Sequence, residues 1–162
     1  MNKERKVIEP NAIVVFDGDV NASKLNQLFQ NFQGDIIITG NLIIDEEKLS
    51  IQCDNLFVME KIDLSNYANT GICLDGNLYV EKFIDCSHIE VNGCIYCSGS
   101  IDSFNINVAE DLYVKGNIDT NGYDINVGGN LICKNEVDAA EITVLGKISV
   151  TSRIQADSIS VG

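Results

Sequence analysis

The sequence predicts an all-β fold, a parallel β-helix with an amino-terminal capping helix, and three observations carry that prediction. The first is a repeat of near-constant period, in which Leu78, Ile95, Leu112, Leu131 and Ile148 stand 17, 17, 19 and 17 residues apart. The same steps recur at Ile84, Ile101, Ile118, Val137 and Ile154, and again at Ile89, Ile106, Ile125, Ile142 and Ile159. Val91, Val108, Val127, Val144 and Val161 follow the last set two residues later. A fixed period of this size marks a solenoid. The second is alternation of apolar and outward residues over short stretches, with Asn, Gly, Asp and Ser at the corners, which describes three short strands joined by tight turns. The third is length: a unit of about 17 residues has no room for a strand, a helix and two turns, so each rung is made of strands alone.

The elements before the regular rungs follow in order. Ala12 to Phe16 is a short β-branched run ended by the turn signal Asp17, Gly18 and Asp19. From Ser23, residues Leu25, Leu28, Phe29 and Phe32 recur at helical spacing. Asn21 or Ser23 can cap the start and Gly34 can end the segment, which predicts one amphipathic helix of about ten residues. Residues 1–34 thus read as an amino-terminal strand and capping helix and residues 35–162 as the β-helix, in one structural domain. An open solenoid end exposes core side chains and unpaired strand edges. The helix is therefore expected to lie over a first coil built of Ile36, Ile38, Leu42 and Ile44. The second coil, from Leu42 through Leu49 and Ile51 to Leu56, reads as shortened. The third reads as lengthened by a loop at Asn66 to Thr70 ahead of Ile72 and Leu74, giving about seven rungs in all.

Composition bounds the partners. With 162 residues, 45% hydrophobic and 22% charged, the chain fits one globular domain with a real core. No apolar run approaches the roughly 20 residues that span a bilayer. Met1 to Pro10 lacks the apolar stretch of a secretory signal, which makes the cytoplasm the default location. Twenty-four acidic against 11 basic residues give a formal charge of -13, which repels phosphate backbones and anionic lipid and argues against nucleic acid or membrane as partner. The acidity reads as a means of solubility and of keeping exposed strands apart. Among six cysteines, Cys97 and Cys133 take the core slot of Val80, Val114 and Val150, and Cys86 the small-residue slot of Ser103, Thr120, Ala139 and Ala156 at a bend. Buried free thiols in a reducing compartment follow more simply than a disulfide framework.

Gly76-Asn77 and Gly128-Gly129-Asn130 each precede an apolar triplet headed by leucine. In this the regular rungs resemble right-handed parallel β-helix proteins, and the rung length is similar to that of the bactofilin family of bacterial cytoskeletal scaffold proteins, over about Gly34 to Gly162. The resemblance implies a non-enzymatic scaffold whose bare β-helix polymerises through its ends. The helical lid departs from that pattern and argues against filament growth. The left-handed hexapeptide class does not fit, because Ile84, Ile89, Val91, Ile95 and Ile101 are separated by steps of 5, 2, 4 and 6 rather than a strict six.

The same columns sort the residues that invite chemistry. Asp63, Asp85, Asp102, Asp119 and Asp138 stack at about 4.8 Å along one edge. Such a ladder can cap its own turns or bind a hard cation such as calcium, and capping is expected because no glycine-rich loop flanks it. Cys94 and Cys97 form a CxxC whose sulfurs point to opposite sides of a strand, with no second CxxC, so no zinc site is expected. His88 stands near Asp85 and Cys86, but its equivalents Asn105, Asp124, Glu141 and Ser158 are outward polar positions. No nucleophile elbow or phosphate loop is present, and no cofactor is implied. A carbohydrate-active β-helix enzyme stays open as an alternative, which would need a groove by the Asn66 to Thr70 loop with carboxylates about 5 to 9.5 Å apart.

Two features point to interaction. Ile43, Phe57, Tyr79, Tyr96, Tyr113 and Ile132 form an outward apolar column over six rungs, a strip that soluble monomers rarely leave uncovered. At the carboxyl end Ile154, Ile159 and Val161 belong to a complete rung with no cap in the sequence. The expectation is a scaffold or protein-interaction module, bound to itself as an end-to-end two-fold dimer or to another protein.

Overall fold

The computed structural model describes residues 12–64 and 70–162. In them 19 strands join one sheet that winds as a parallel β-solenoid of about 8 turns. Each regular turn has three faces, and the three columns of the repeat are those faces. The first stacks Val14, Ile36, Leu56, Leu78, Ile95, Leu112, Leu131 and Ile148. The second stacks Val20, Leu42, Ile62, Ile84, Ile101, Ile118, Val137 and Ile154. The third stacks Leu49, Ile72, Ile89, Ile106, Ile125, Ile142 and Ile159. Period-two alternation turns these side chains inward, and one continuous core runs from Val20 to Val144.

The solenoid starts earlier than the repeat suggests. Ala12–Phe16 pairs residue for residue with Gly34–Ile38, and Val20–Asn21 pairs with Leu42 and Ile43. The first turn therefore begins at Ala12 and Ile36 opens the second, which corrects both the first coil assigned to Ile36 and the count of about seven. The cause is a degeneracy of spacing. Leu78 to Ile84 and Ile89 to Ile95 are both steps of six, one rounding the corner from first to second face and the other from third to first. The step from Ile36 to Leu42 fits either corner, and only pairing assigns it to the former. In the true register the second and third turns are 20 and 22 residues long, so the expected shortened coil does not exist. Of the loop predicted at Asn66 to Thr70, residues 66–69 lie outside the described residues and Thr70 is buried.

The helix spans Ala22–Leu28, seven residues rather than about ten. It follows the strand Val20–Asn21 directly and takes the place of the first turn's third strand. At 3.6 residues per turn Ala22, Leu25 and Phe29 fall within about 60° of one another, and Leu28 lies about 60° beyond that stripe. Accordingly the first three are buried, whereas Leu28 is 57% exposed, contrary to its expected place on the core face. Phe29 meets Phe16 and Phe32 edge-on at 6.0 and 5.1 Å, which closes the lid over the core.

Asp45, at a corner of the second turn, holds the helix start. Its carboxylate accepts hydrogen bonds from the Ser23 backbone N–H at 2.9 Å, the Ser23 hydroxyl at 2.6 Å and the Asn21 side-chain amide at 2.9 Å. Asn21 is the N-cap residue, one of the two the sequence offered, but its side chain accepts no capping hydrogen bond. Partial burial pushes the Asp45 carboxyl up, but the hydrogen bonds from Ser23 and Asn21 outweigh it and hold the group below its usual value of 3.8. Asp45→Ala should cost about 0.5 to 2 kcal/mol, the range of a lost helix cap. Because the folded pKa is depressed, that contribution is present above the unfolded value and is lost as pH falls through the folded one. Thermal melts of variant and parent should differ at neutral pH and converge in acid.

Candidate interaction surfaces

In the last turn described, inward residues of the core columns are exposed. Ile159 and Val161 are 50% and 54% exposed, while Ile142 and Val144, directly below them in the same columns, are fully buried. Ile148, Val150, Ile154 and Ala156 are half-buried beside them. All six are inward residues with no further turn against them among the described residues. The eight-residue strand Ile154–Val161 pairs along one edge only, with Val137–Val144. This end therefore joins apolar side chains to unpaired backbone, the combination that templates another strand. The opposite end carries the helix and its phenylalanine cluster.

The outward apolar column lies on the first face. Phe57 and Tyr79 stack at 4.7 Å with planes 15° apart, Tyr79 and Tyr96 at 5.0 Å and 4°, and Tyr96 and Tyr113 at 6.2 Å and 37°. In-register pairing enforces the stack, because each ring stands directly over the next at the strand repeat. Tyr96 is the most open ring of the four, at 40%. Ile43 is not a member: it faces outward on the second face, between Asn21 and Asp63. Its place is taken by Ile37, with Val15 beyond it, both missed because the first two turns were read out of register. An exposed pair at another corner, Phe104 and Tyr123 with ring centroids 5.3 Å apart, was also missed; equal offsets from Ile106 and Ile125 were the available signal.

The aspartates stack as read, with Asp102 between Asp85 and Asp119 and Asp138 following. They share no common role. Asp119 accepts from the Asn121 backbone N–H at 2.8 Å and so caps its own turn, Asp102 accepts from the Asn121 side-chain amide at 2.7 Å, and Asp63 pairs with Lys61. Burial, then Asp102 and Asp63, push the Asp85 carboxyl up against the opposing pull of Lys61. Among the described residues no group of three or more His, Cys, Asp or Glu is arranged to hold a metal ion.

All six cysteines are free. Cys97 and Cys133 lie in the core, and Cys86 is buried at its corner with its thiol donating to the His88 carbonyl at 3.7 Å. Burial drives the Cys53 thiol up to about 12 and the Cys97 thiol to about 11, and pushes that of Cys86 up as well. Thiols held protonated this way are poor nucleophiles. Cys94 sits at the opposite side of its strand, near the Glu110 carboxylate at 3.3 Å. His88 is exposed and meets the Asn105 side chain at 3.3 Å, so it points away from buried Cys86. A shallow groove of about 550 Å³ runs past His88, Glu47 and Glu90, where Lys48 pairs with Glu90 at 3.7 Å.

No helix among the described residues is long and apolar enough to cross a membrane. Compared with protein-family models, curated proteins and solved structures, the chain matches none.

Proposed function

We propose that this chain is a non-enzymatic scaffold that self-associates through the open last turn of its solenoid. The observation that carries the reading is the contrast within single columns: Ile142 and Val144 are wholly buried, and Ile159 and Val161 above them are half-exposed. Covering that end with a second copy removes apolar side chains from water and pairs a free strand edge at the same time. The helix packs its buried Ala22, Leu25 and Phe29 over the core at the first turn, so the exposed apolar end meets its own copy, an isologous contact that closes as a dimer instead of running on as a filament. The similarity of rung length to bactofilins supports a scaffold of that general kind, and the free buried thiols accord with a reducing cytoplasm.

Sedimentation tests the reading. The parent chain of 17.7 kDa should run at twice that mass at tens of micromolar, and Val161→Asp, which places a charge in the contact, should run as a monomer with an unchanged circular dichroism spectrum. A parent that stays monomeric would refute end-to-end assembly.

A further inference from the structure

We propose that the first face is a second self-association surface, on which two copies pack antiparallel about a two-fold axis passing through Tyr96. Four observations lead there.

The strip is long and unbroken, from Val15 and Ile37 at one end through the stacked rings to Ile132 at the other. The rings lie face to face along the solenoid axis. The faces of Phe57, Tyr79 and Tyr96 are taken up within the stack, and Tyr113, tilted by 37°, has the Lys134 ammonium 6.0 Å from its ring centre, so the strip presents mainly ring edges outward, which suits another sheet packed at about 10 Å and not a flat ligand seeking a stacking platform.

The columns flanking the strip carry charge in a self-complementary order. In the column that follows the strand, Glu81, Ser98 and Lys115 occupy three successive turns, held in line by their backbone bonds to the turn below. In the column that precedes it, Asp35 lies three turns before Cys94 and Lys147 three turns after, on a line of side-chain and backbone hydrogen bonds. Both opposite-charge pairs are thus symmetric about the turn of Tyr96. A two-fold axis there, parallel to the strands, sets Lys115 of one copy against Glu81 of the other and Lys147 against Asp35, each twice. Within these two columns it brings no like charges together. Glu81, Lys115 and Lys147 are exposed and free to reach.

The apolar residues match under the same operation. Tyr96 meets its own copy, Tyr79 faces Tyr113, and Phe57 faces Ile132.

The contact is small. Six rises of about 4.8 Å by about 13 Å of strand give roughly 370 Å² of flat sheet per copy, below the roughly 1,000 Å² in total that a stable specific interface buries, so it is a weak pairing to be read at high concentration. Salt is a poor probe, because it screens the attractive pairs and also the mutual repulsion of two chains of charge -13. Charge exchange is the better one. This inference does not depend on end-to-end assembly, and the test is run in the full chain carrying Val161→Asp, so failure of either leaves the other intact. Sedimentation equilibrium at hundreds of micromolar should show association, and Lys115→Glu should weaken it about tenfold or more. Adding Glu81→Lys to Lys115→Glu should restore it. Rescue by Asp111→Lys instead would mean that the faces pack parallel, since Asp111 precedes the strand in the same turn as Lys115, and would overturn the arrangement. No response to Lys115→Glu, or to Tyr96→Ser, would overturn the surface itself.

Discussion

Gly76→Ala is expected to destabilise the protein by about 4 kcal/mol, at the upper limit of what single substitutions cost. A β-carbon there would stand 1.8 Å from the Cys53 carbonyl oxygen and 3.0 Å from that of Asp54, and both are backbone atoms of the turn below. They lie at a register shift of the strand Lys48–Val58, between Lys48–Gln52 and Asn55–Val58, both of which pair with the turn above and so limit how far the two carbonyls can move. The residue also sits at φ +143, where an L side chain is strained in any surroundings. Gly122→Ala separates the two causes. Gly122 has φ +82 with nothing within 4 Å of its would-be β-carbon, so it bears only the backbone penalty of about 1 to 2 kcal/mol. Urea unfolding of both variants checks the difference, and equal losses would show that the carbonyl contact costs nothing.

The second large effect is positional. Ile125→Ala and Ile159→Ala make the same deletion in one column, two turns apart. Ile125 is fully buried and Ile159 is half-exposed. The former should lose about 2 to 5 kcal/mol, because the deletion leaves a cavity between turns held rigid from both sides. The latter should lose less than about 1 kcal/mol in the monomer, where water already reaches the site. In a solenoid each turn contacts only its neighbours, so Ile125→Ala should also uncouple the last two turns and broaden the unfolding transition. If the last turn is the self-association end proposed above, Ile159→Ala should act mainly on association, and its loss should grow with protein concentration. Denaturation at two protein concentrations distinguishes them.

The regular rungs were legible because a 17-residue period leaves each side chain one role. Leu112 recurs where Leu131 recurs, and both must point inward if either does. Cys97 and Cys133 could be assigned to the core for the same reason, and His88 to the surface. The early turns were not legible, because their lengths depart from the period and a step of six occurs at two different corners. Ile43 and Ile37 were exchanged on that account alone. Leu28 was misplaced because helical spacing shows that a stripe exists but not its width, which here is set by a helix lying in the slot of a single strand. The Asp45 cap was invisible: its carboxylate lies 22 residues from Ser23, and no local pattern links them.

What the sequence by itself determined is the solenoid, its strand columns and the inward or outward sense of nearly every residue in the regular turns, since periodicity and alternation act through local backbone geometry. What only the tertiary structure decided is the starting register, the capping of the helix, the stacking of Phe57, Tyr79, Tyr96 and Tyr113 into one strip, and the contrast in burial between Ile142 and Ile159 in one column. Those depend on which turn lies against which, and pairing between turns is set by hydrogen bonds and packing across 17 to 22 residues that no short-range signal encodes.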